Sequence, residues 1–334
     1  MIVLGIETSC DDTAASIVEE KGLILSNVLS SQDSFHKDFG GIVPEIASRK
    51  HSELIGYTIV EALKLANKDL NSIDLISVTK GPGLVGSLLV GLEAAKALSF
   101  ALDKPLIGVN HLEGHIYSLF LDNSELPLNN DVFPLLILIV SGGHTELILM
   151  KEHLHYEMIG ETRDDAAGEA LDKFARFLGY AYPGGPIIEK LGASGDPKAF
   201  KFPGLSFKGS PYEFSFSGLK TAGIYFAEEH KKEIETRIAD VAASFETALV
   251  EILVKRTLKA ANDFKVKGIG VVGGVSANTR LRETLKARSS VPVYFPPKAL
   301  STDNAAMIAL AGLTHFKKGE KDNLSLDVFS RLEL

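Results

Sequence analysis

Ile6-Glu-Thr-Ser-Cys-Asp-Asp-Thr13-Ala-Ala-Ser-Ile17 and Ile139-Val-Ser-Gly-Gly-His-Thr145-Glu-Leu-Ile-Leu149 are two versions of one pattern: an apolar strand, a turn of small residues, a second apolar strand. Thr13 and Thr145 align, 132 residues apart. Each segment reads as a hairpin presenting its turn at a sheet edge. Two such hairpins, one per lobe and facing each other, suit the phosphates of a single nucleotide. A third small-residue turn, at 272 to 282, also follows an apolar run. Turns of this kind admit an anion because bare backbone N–H groups approach it where no side chain intervenes.

Outward from the hairpins, short β-like runs alternate with longer helical patterns, an α/β signature. The runs are Ile2 to Ile6, Leu75 to Thr79, Leu106 to Val109, Leu135 to Val140 and Ile269 to Val272. Apolar residues recur at three- and four-residue intervals over Pro44 to Leu65, Leu84 to Leu102, Asp165 to Leu178, Thr236 to Asn262 and Asp303 to Phe316. Asp303 stands where a capping residue opens the last of these. The stretch Asn123 to Pro134 reads as a linker or inserted loop.

The chain has 334 residues, enough for two packed lobes, and its 45% hydrophobic and 23% charged residues are those of an ordinary soluble protein. No uninterrupted apolar stretch approaches the ~18–20 residues that span a bilayer. Met1-Ile-Val-Leu-Gly runs into a strand and not a charged leader, so the expected location is the cytoplasm. Cys10 is the single cysteine, which excludes an internal disulfide and a Cys-rich zinc cage; any metal must be held by His and carboxylate. The net charge of −8 argues against nucleic acid, but it all comes from residues 1 to 130, where 9 Lys and Arg meet 17 Asp and Glu. Lys255 to Lys298 holds ten Lys and Arg against Asp263 and Glu283. That block, with Lys198, Lys201 and Lys208, is the candidate RNA-facing charge, although such runs usually form a solvated face.

His111-Leu-Glu-Gly-His115 carries the chemistry, because two histidines four apart share one helix face and can grip one metal ion. A zinc peptidase needs its general base directly after the first histidine; Glu113 stands two positions on, roughly opposite the ligand face. Asp303 is the candidate third ligand, its plain role being an N-cap. Two imidazoles and a carboxylate suit Fe²⁺ or Zn²⁺ and leave positions open for a substrate oxygen. Gly81-Pro-Gly83-Leu-Val-Gly86 has dinucleotide-fingerprint spacing but sits among hairpins foreign to that fold, so it reads as close packing at a helix start; no P-loop motif is present. Asp165, Glu169 and Asp172 form a helix stripe with Lys173 and Arg176 as pairing partners. The turn Tyr182-Pro-Gly-Gly185-Pro is rigid and fit to border a sugar or base. Cys10 has no assignable base and reads as structural.

Gly5-Ile-Glu-Thr-Ser-Cys-Asp-Asp-Thr, Gly40-Gly-Ile-Val-Pro-Glu-Ile-Ala-Ser-Arg, His111-Leu-Glu-Gly-His115, Val140-Ser-Gly-Gly-His-Thr, Phe214-Ser-Phe-Ser-Gly-Leu-Lys-Thr and Gly273-Gly-Val-Ser-Ala-Asn278 together resemble the bacterial TsaD family over essentially the whole chain. The resemblance implies an α/β, two-lobed actin/sugar-kinase/heat-shock ATPase-like fold with a duplicated core and a central cleft. The expected lobes are 1–108 plus 300–334, closed by the C-terminal helix, and 109–299 with the nucleotide-binding turns. It implies transfer of a threonylcarbamoyl group from threonylcarbamoyl-adenylate to N6 of the adenosine 3′ of the anticodon, in tRNAs reading codons that begin with A, with release of AMP. His111, His115 and Asp303 match the family's metal ligands, Fe²⁺ ahead of Zn²⁺, and Asp11 in the first turn joins them as a catalytic candidate. Ile139, Val140, Ser141, Gly142, Gly143, Asp172, Gly185 and Asn278, with Glu189 added, match positions that bind the adenylate. Archaeal and eukaryotic relatives place a tyrosine where Ile139 stands, so one more coordination position is expected open here. Ser301 replaces a cysteine frequent in the family without touching Asp303. A TsaB-like paralogue and a TsaE-like ATPase are the implied partners, with no membrane.

The same fold and turns would serve a nucleotide-regulated scaffold or chaperone-like module without chemistry, or a small-molecule kinase. Older names of the family suggest a metallopeptidase. The His/His/Asp set separates the transferase from a nucleotide switch, which has no use for it.

Overall fold

β1 (Ile2–Glu7) is apolar up to its last residue because it is buried on both faces, as a central strand must be when helices cover the sheet on either side. It pairs antiparallel with β2 (Asp12–Glu19), which pairs with β3 (Ile24–Ser31), and parallel with β4 (Leu75–Gly81), which pairs with β5 (Leu106–Asn110). The strand order β3-β2-β1-β4-β5 recurs in a second sheet. There β6 (Leu135–Val140) lies between β7 (Thr145–Glu152) and β9 (Gly268–Val272), flanked by β8 (His155–Glu161) and β10 (Val293–Tyr294). The two sheets match strand for strand and direction for direction, so the short repeat marks a duplication of the whole sheet. The computed structural model describes all residues except 33–34, 36–40, 122–124 and 205–208, so Gly40, Asn123 and Lys208 of the sequence analysis lie outside the described residues.

The chain forms two compact units, residues 1–129 with 302–334 and residues 130–301. In the first, α1 (Pro44–Leu65) and α2 (Val85–Leu102) cover one face of the sheet, where Leu4, Ile6, Ile17, Ile59, Ile76 and Leu92 form the core. Helix α9 (Ala305–Lys317) covers the other face. A short α3 (His111–Tyr117) lies against α9: a Cβ on Gly114 would come 2.6 Å from Ile308 Cδ1, so a larger residue would have to push the Ile308 side-chain end aside. This packing keeps residues 109–129 in the first unit, whereas the sequence expectation divided the chain after 108. The observed division falls inside the Asn123 to Pro134 stretch read as a linker.

In the second unit α4 (Ala167–Phe177), α5 (Gly184–Gly192), α6 (Ser217–Glu229) and α7 (Lys231–Asp263) build a core around Leu136, Leu138 and Val140. Phe174 and Phe245 stack there at 3.8 Å. Helix α7 begins before the expected Thr236 and kinks at Arg237, whose backbone leaves helical geometry. The last helix of this unit is α8 (Thr279–Arg288).

Among the described residues one helix, α2, is long and apolar enough by length and composition to cross a membrane, with 18 residues and a mean hydropathy of 1.5, though it is not an uninterrupted apolar stretch. Its Ser87, Leu88, Gly91, Leu92 and Ala95 are buried, and Glu93 and Lys96 interrupt its apolar run. Gly83, just before it, packs against Ser9: an added Cβ would lie 2.4 Å from the Ser9 carbonyl oxygen. The glycine run there is therefore close packing, as its context indicates.

Candidate metal centre

Asn110 ends β5 and caps α3, its Oδ1 accepting the Leu112 amide at 2.8 Å. Its Nδ2 donates to the carbonyls of Leu332 and Glu333, so the C-terminal segment holds the cap in place. From that start the helical period puts His111 and His115 side by side, ring centroids 4.7 Å apart.

Asp303 completes the group. The N-cap of α9 is Asn304, whose Oδ1 accepts the Met307 amide at 3.0 Å; the capping role allowed for Asp303 is thereby corrected, and its carboxylate faces the two histidines. Asp303 Oδ1 lies 3.2 Å from His115 Nε2 and 3.5 Å from His111 Nε2. One donor atom from each of the three residues falls within 4.8 Å of the others.

These residues fit a divalent ion. Two imidazole nitrogens and one carboxylate oxygen are a common donor set for Zn²⁺ or Fe²⁺ with open positions. His115, 2% exposed, has a buried Nδ1 with no hydrogen-bond partner. Burial opposes charge on His111, but the Glu7 and Asp303 carboxylates outweigh it and raise its pKa to about 9. A divalent ion at this imidazole would have to displace a proton. Glu7 is pushed the other way: burial disfavours its charge, yet the His111 imidazole and the Thr79 hydroxyl keep it below the usual carboxylate range. Neither Glu7 nor Thr79 was marked in the sequence analysis; the only local signal was an acid ending an otherwise apolar strand.

Glu113 faces away, its Oε2 2.7 Å from His315 Nε2, and His315 Nδ1 lies 2.8 Å from Glu320. Burial works against charge on His315, but the two acids raise its pKa. Glu113 is thus committed to a helix contact and not to a metal-bound water, in line with the weak peptidase reading that its spacing gives. The surroundings of Cys10 favour its protonated thiol. Burial pushes its thiol up, and the neighbouring Asp11, Asp303 and Glu7 carboxylates push it further. Asp11 stands beside that thiol in the β1–β2 turn. His51 of α1 pins the same turn, with Nε2 donating to the Cys10 carbonyl at 3.0 Å and Nδ1 2.8 Å from the Thr13 hydroxyl.

The other predicted residues all fall in the second unit. Ile139 and Val140 are buried strand residues, and the exposed part of their motif is the turn Ser141 to Gly143. Ser141 Oγ accepts the amides of Gly143 and His144, and its carbonyl accepts the Gly168 amide in the first turn of α4. Gly273 closes on the end of β6: with φ +88 and a would-be Cβ 2.6 Å from the Val140 carbonyl oxygen, no other residue fits without strain. Asp172 does not join the expected charge stripe. Its carboxylate accepts the amide of Gly184 at 2.7 Å and that of Gly185, although burial raises its pKa. Asp165 and Glu169 do pair with Lys173, and Asp165 also with Lys220.

Glu189 and Asn278 meet: Asn278 Nδ2 lies 3.4 Å from Glu189 Oε2 and donates to Glu246 Oε1 at 2.6 Å, while its Oδ1 caps α8. Glu246, buried and unmarked by any motif, also holds Arg280 at 2.7 Å. Arg282 donates to the Ser276 and Pro296 carbonyls and lies over the Phe295 ring. These two arginines, offered as RNA-facing charge, are spent on internal contacts. Lys198, Lys201, Lys255 and Lys286 are exposed.

Duplicated five-stranded sheets with helices, and a buried histidine pair beside a carboxylate in the first unit, define an α/β protein of actin-like ATPase fold carrying a candidate metal centre. Component A of (R)-2-hydroxyglutaryl-CoA dehydratase from Acidaminococcus fermentans shares this fold, with a TM-score of 0.56 at 17% identity over 96% of this chain and 100% of that one. The TsaD family, described as tRNA N6-adenosine threonylcarbamoyltransferase, matches residues 23–310, and the chain belongs to it. Proteins of that description from Symbiobacterium thermophilum and Thermosipho africanus are 51% and 49% identical, each across 100% of this chain and across 97% and 100% of their own lengths. The chain is accordingly an enzyme, a transferase of tRNA threonylcarbamoylation.

Proposed function

We propose that the donor is threonylcarbamoyl-adenylate, that the acceptor is N6 of the adenosine 3′ of the anticodon in tRNAs reading codons that begin with A, and that AMP is released. The observation that carries this reading is the convergence of His111, His115 and Asp303 within 4.8 Å in a chain of this family. These three residues hold one divalent ion, Fe²⁺ ahead of Zn²⁺. When bound, the ion supplies Lewis-acid stabilisation of charge on the oxygens of the threonylcarbamoyl-phosphate end.

The rest of the work belongs to the chain's own groups. Gly142 and Gly143 have open space where a Cβ would stand, so the Ser141 to Gly143 turn can approach a phosphate by its backbone. Asp172 holds the Gly184–Gly185 turn rigid against α4, fit to border the nucleoside. Glu189 and Asn278 support the neighbouring start of α8. Asp11 lies in the β1–β2 turn that His51 fixes, on the metal side of the first unit. An exocyclic amine is a weak nucleophile, so orientation of amine and carbamoyl carbon contributes most of the acceleration. The site is cytoplasmic, and a TsaB-like paralogue and a TsaE-like ATPase are the expected partners.

The test is to incubate the protein and both partners with unmodified tRNA and threonylcarbamoyl-adenylate, digest the RNA and search by mass spectrometry for N6-threonylcarbamoyladenosine. Product with wild type and none with His111→Ala is expected. Absence of product from metal-loaded wild type with both partners present would favour the nucleotide-regulated scaffold.

A further inference from the structure

Glu7 is 1% exposed and is the one polar residue of β1. A carboxylate taken out of water is costly unless its lone pairs are filled, and here three segments fill them. Oε1 accepts the Ser9 amide at 2.5 Å, and Oε2 accepts the Thr79 hydroxyl at 2.6 Å and His111 Nδ1–H at 2.9 Å. The effect on His111 is directional. With Nδ1–H given to Glu7, the nitrogen left for an ion is Nε2, the one turned to Asp303. Ser9 Oγ lies 3.2 Å from the same Nδ1, so the β1–β2 turn and the imidazole are fixed by one set of contacts. His115 has no such acceptor on its Nδ1.

We infer that Glu7 is a positioning residue of the metal centre: it orients His111 as an Nε2 ligand and, through Ser9, couples the β1–β2 turn to that ligand. Carboxylates in this relation to a ligating histidine set ring orientation and donor strength, and their loss costs ~10–100-fold in metal affinity. The inference rests on the metal reading of His111, His115 and Asp303 proposed above.

The experiment is a chelator-competition titration of the full chain with Zn²⁺, with Co²⁺ as a visible-absorption probe, for wild type, Glu7→Gln and Thr79→Val. Glutamine keeps the shape but replaces one oxygen by an amide NH₂, so a folded Glu7→Gln should lose about 10–100-fold in Zn²⁺ affinity and shift the Co²⁺ band. Thr79→Val, which removes a donor and leaves the histidine contact, should keep wild-type affinity. Unchanged affinity and spectrum in folded Glu7→Gln would overturn the inference and leave the metal reading standing; a wild type that binds no Zn²⁺ would overturn both. A readout on wild type alone removes dependence on the variant's folding. In Zn²⁺-loaded protein, ¹⁵N shifts should place the ion on His111 Nε2 and the proton on Nδ1, and an ion on Nδ1 would overturn the inference.

Discussion

The two hairpins of the repeat carry a buried carboxylate on the same rung and use it in opposite ways. In the first, Glu7 of β1 stands opposite Ala14; in the second, Ile139 of β6 stands opposite Glu146 of β7, so the acid has changed strands but not position. Glu7 is filled by three donors and held ionised beside a histidine. Glu146, 8% exposed, has a buried oxygen without a partner, and burial with Glu161 alongside pushes its pKa up to about 7. Burial alone therefore does not decide what a carboxylate becomes in this fold. The donors that reach it do, and among the described residues it is the first hairpin that has a histidine helix and a threonine in reach.

The largest expected effect separates the hairpins by activity. His115→Ala removes one of three candidate ligands, and transfer should fall by at least about 100-fold while the second unit keeps its fold; a variant with near-wild-type turnover in metal-chelated buffer would break the assignment of chemistry to the first hairpin.

Next comes stability against pH. The unfolded chain ionises Glu146 from about pH 4.5, while the fold keeps it protonated to about 7, so wild-type stability should decline as pH rises between those values and stay lower above. Glu146→Gln should abolish that decline, melting close to wild type at pH 4.5 and more stable at pH 8 by roughly 2–3 kcal/mol. Parallel pH–melting curves for the two proteins would show that Glu146 is not the unpartnered member of the pair.

A smaller effect tests the division of labour at the start of α9. Asn304→Ala should cost about 1 kcal/mol of stability as a lost cap, whereas Asp303→Ala should keep that cap and lose metal binding. The smallest expected effect is at Cys10: with its thiol held protonated, Cys10→Ala should transfer at the wild-type rate and resist thiol reagents no better than wild type at pH 7.

Much of this was legible in the chain because the signals are local. The apolar periods gave Pro44 to Leu65 to the residue and Leu135 to Val140 likewise, and the hairpin repeat pointed to a duplicated core. The histidine pair followed from helical spacing. What escaped were contacts across the chain. Glu7 reaches Thr79 and His111 over 72 and 104 residues, and Asn110 is held by Leu332 and Glu333 from more than 220 residues away; no period or motif encodes such pairs. Asp303 and Asn304 are adjacent acceptors of similar shape, and only the extended backbone at Asn304 shows which one caps. The internal partner of Arg280 escaped for the same reason, since Glu246 lies 34 residues from it in the chain.

The most direct measurement on the central claim is X-ray absorption at the metal edge of Fe²⁺- or Zn²⁺-loaded full-length protein, compared with His115→Ala. The account predicts nitrogen and oxygen scatterers only, at about 2.0–2.2 Å for zinc, with two imidazole shells in wild type and one in the variant. A sulfur scatterer from Cys10, or an identical spectrum in His115→Ala, would contradict it.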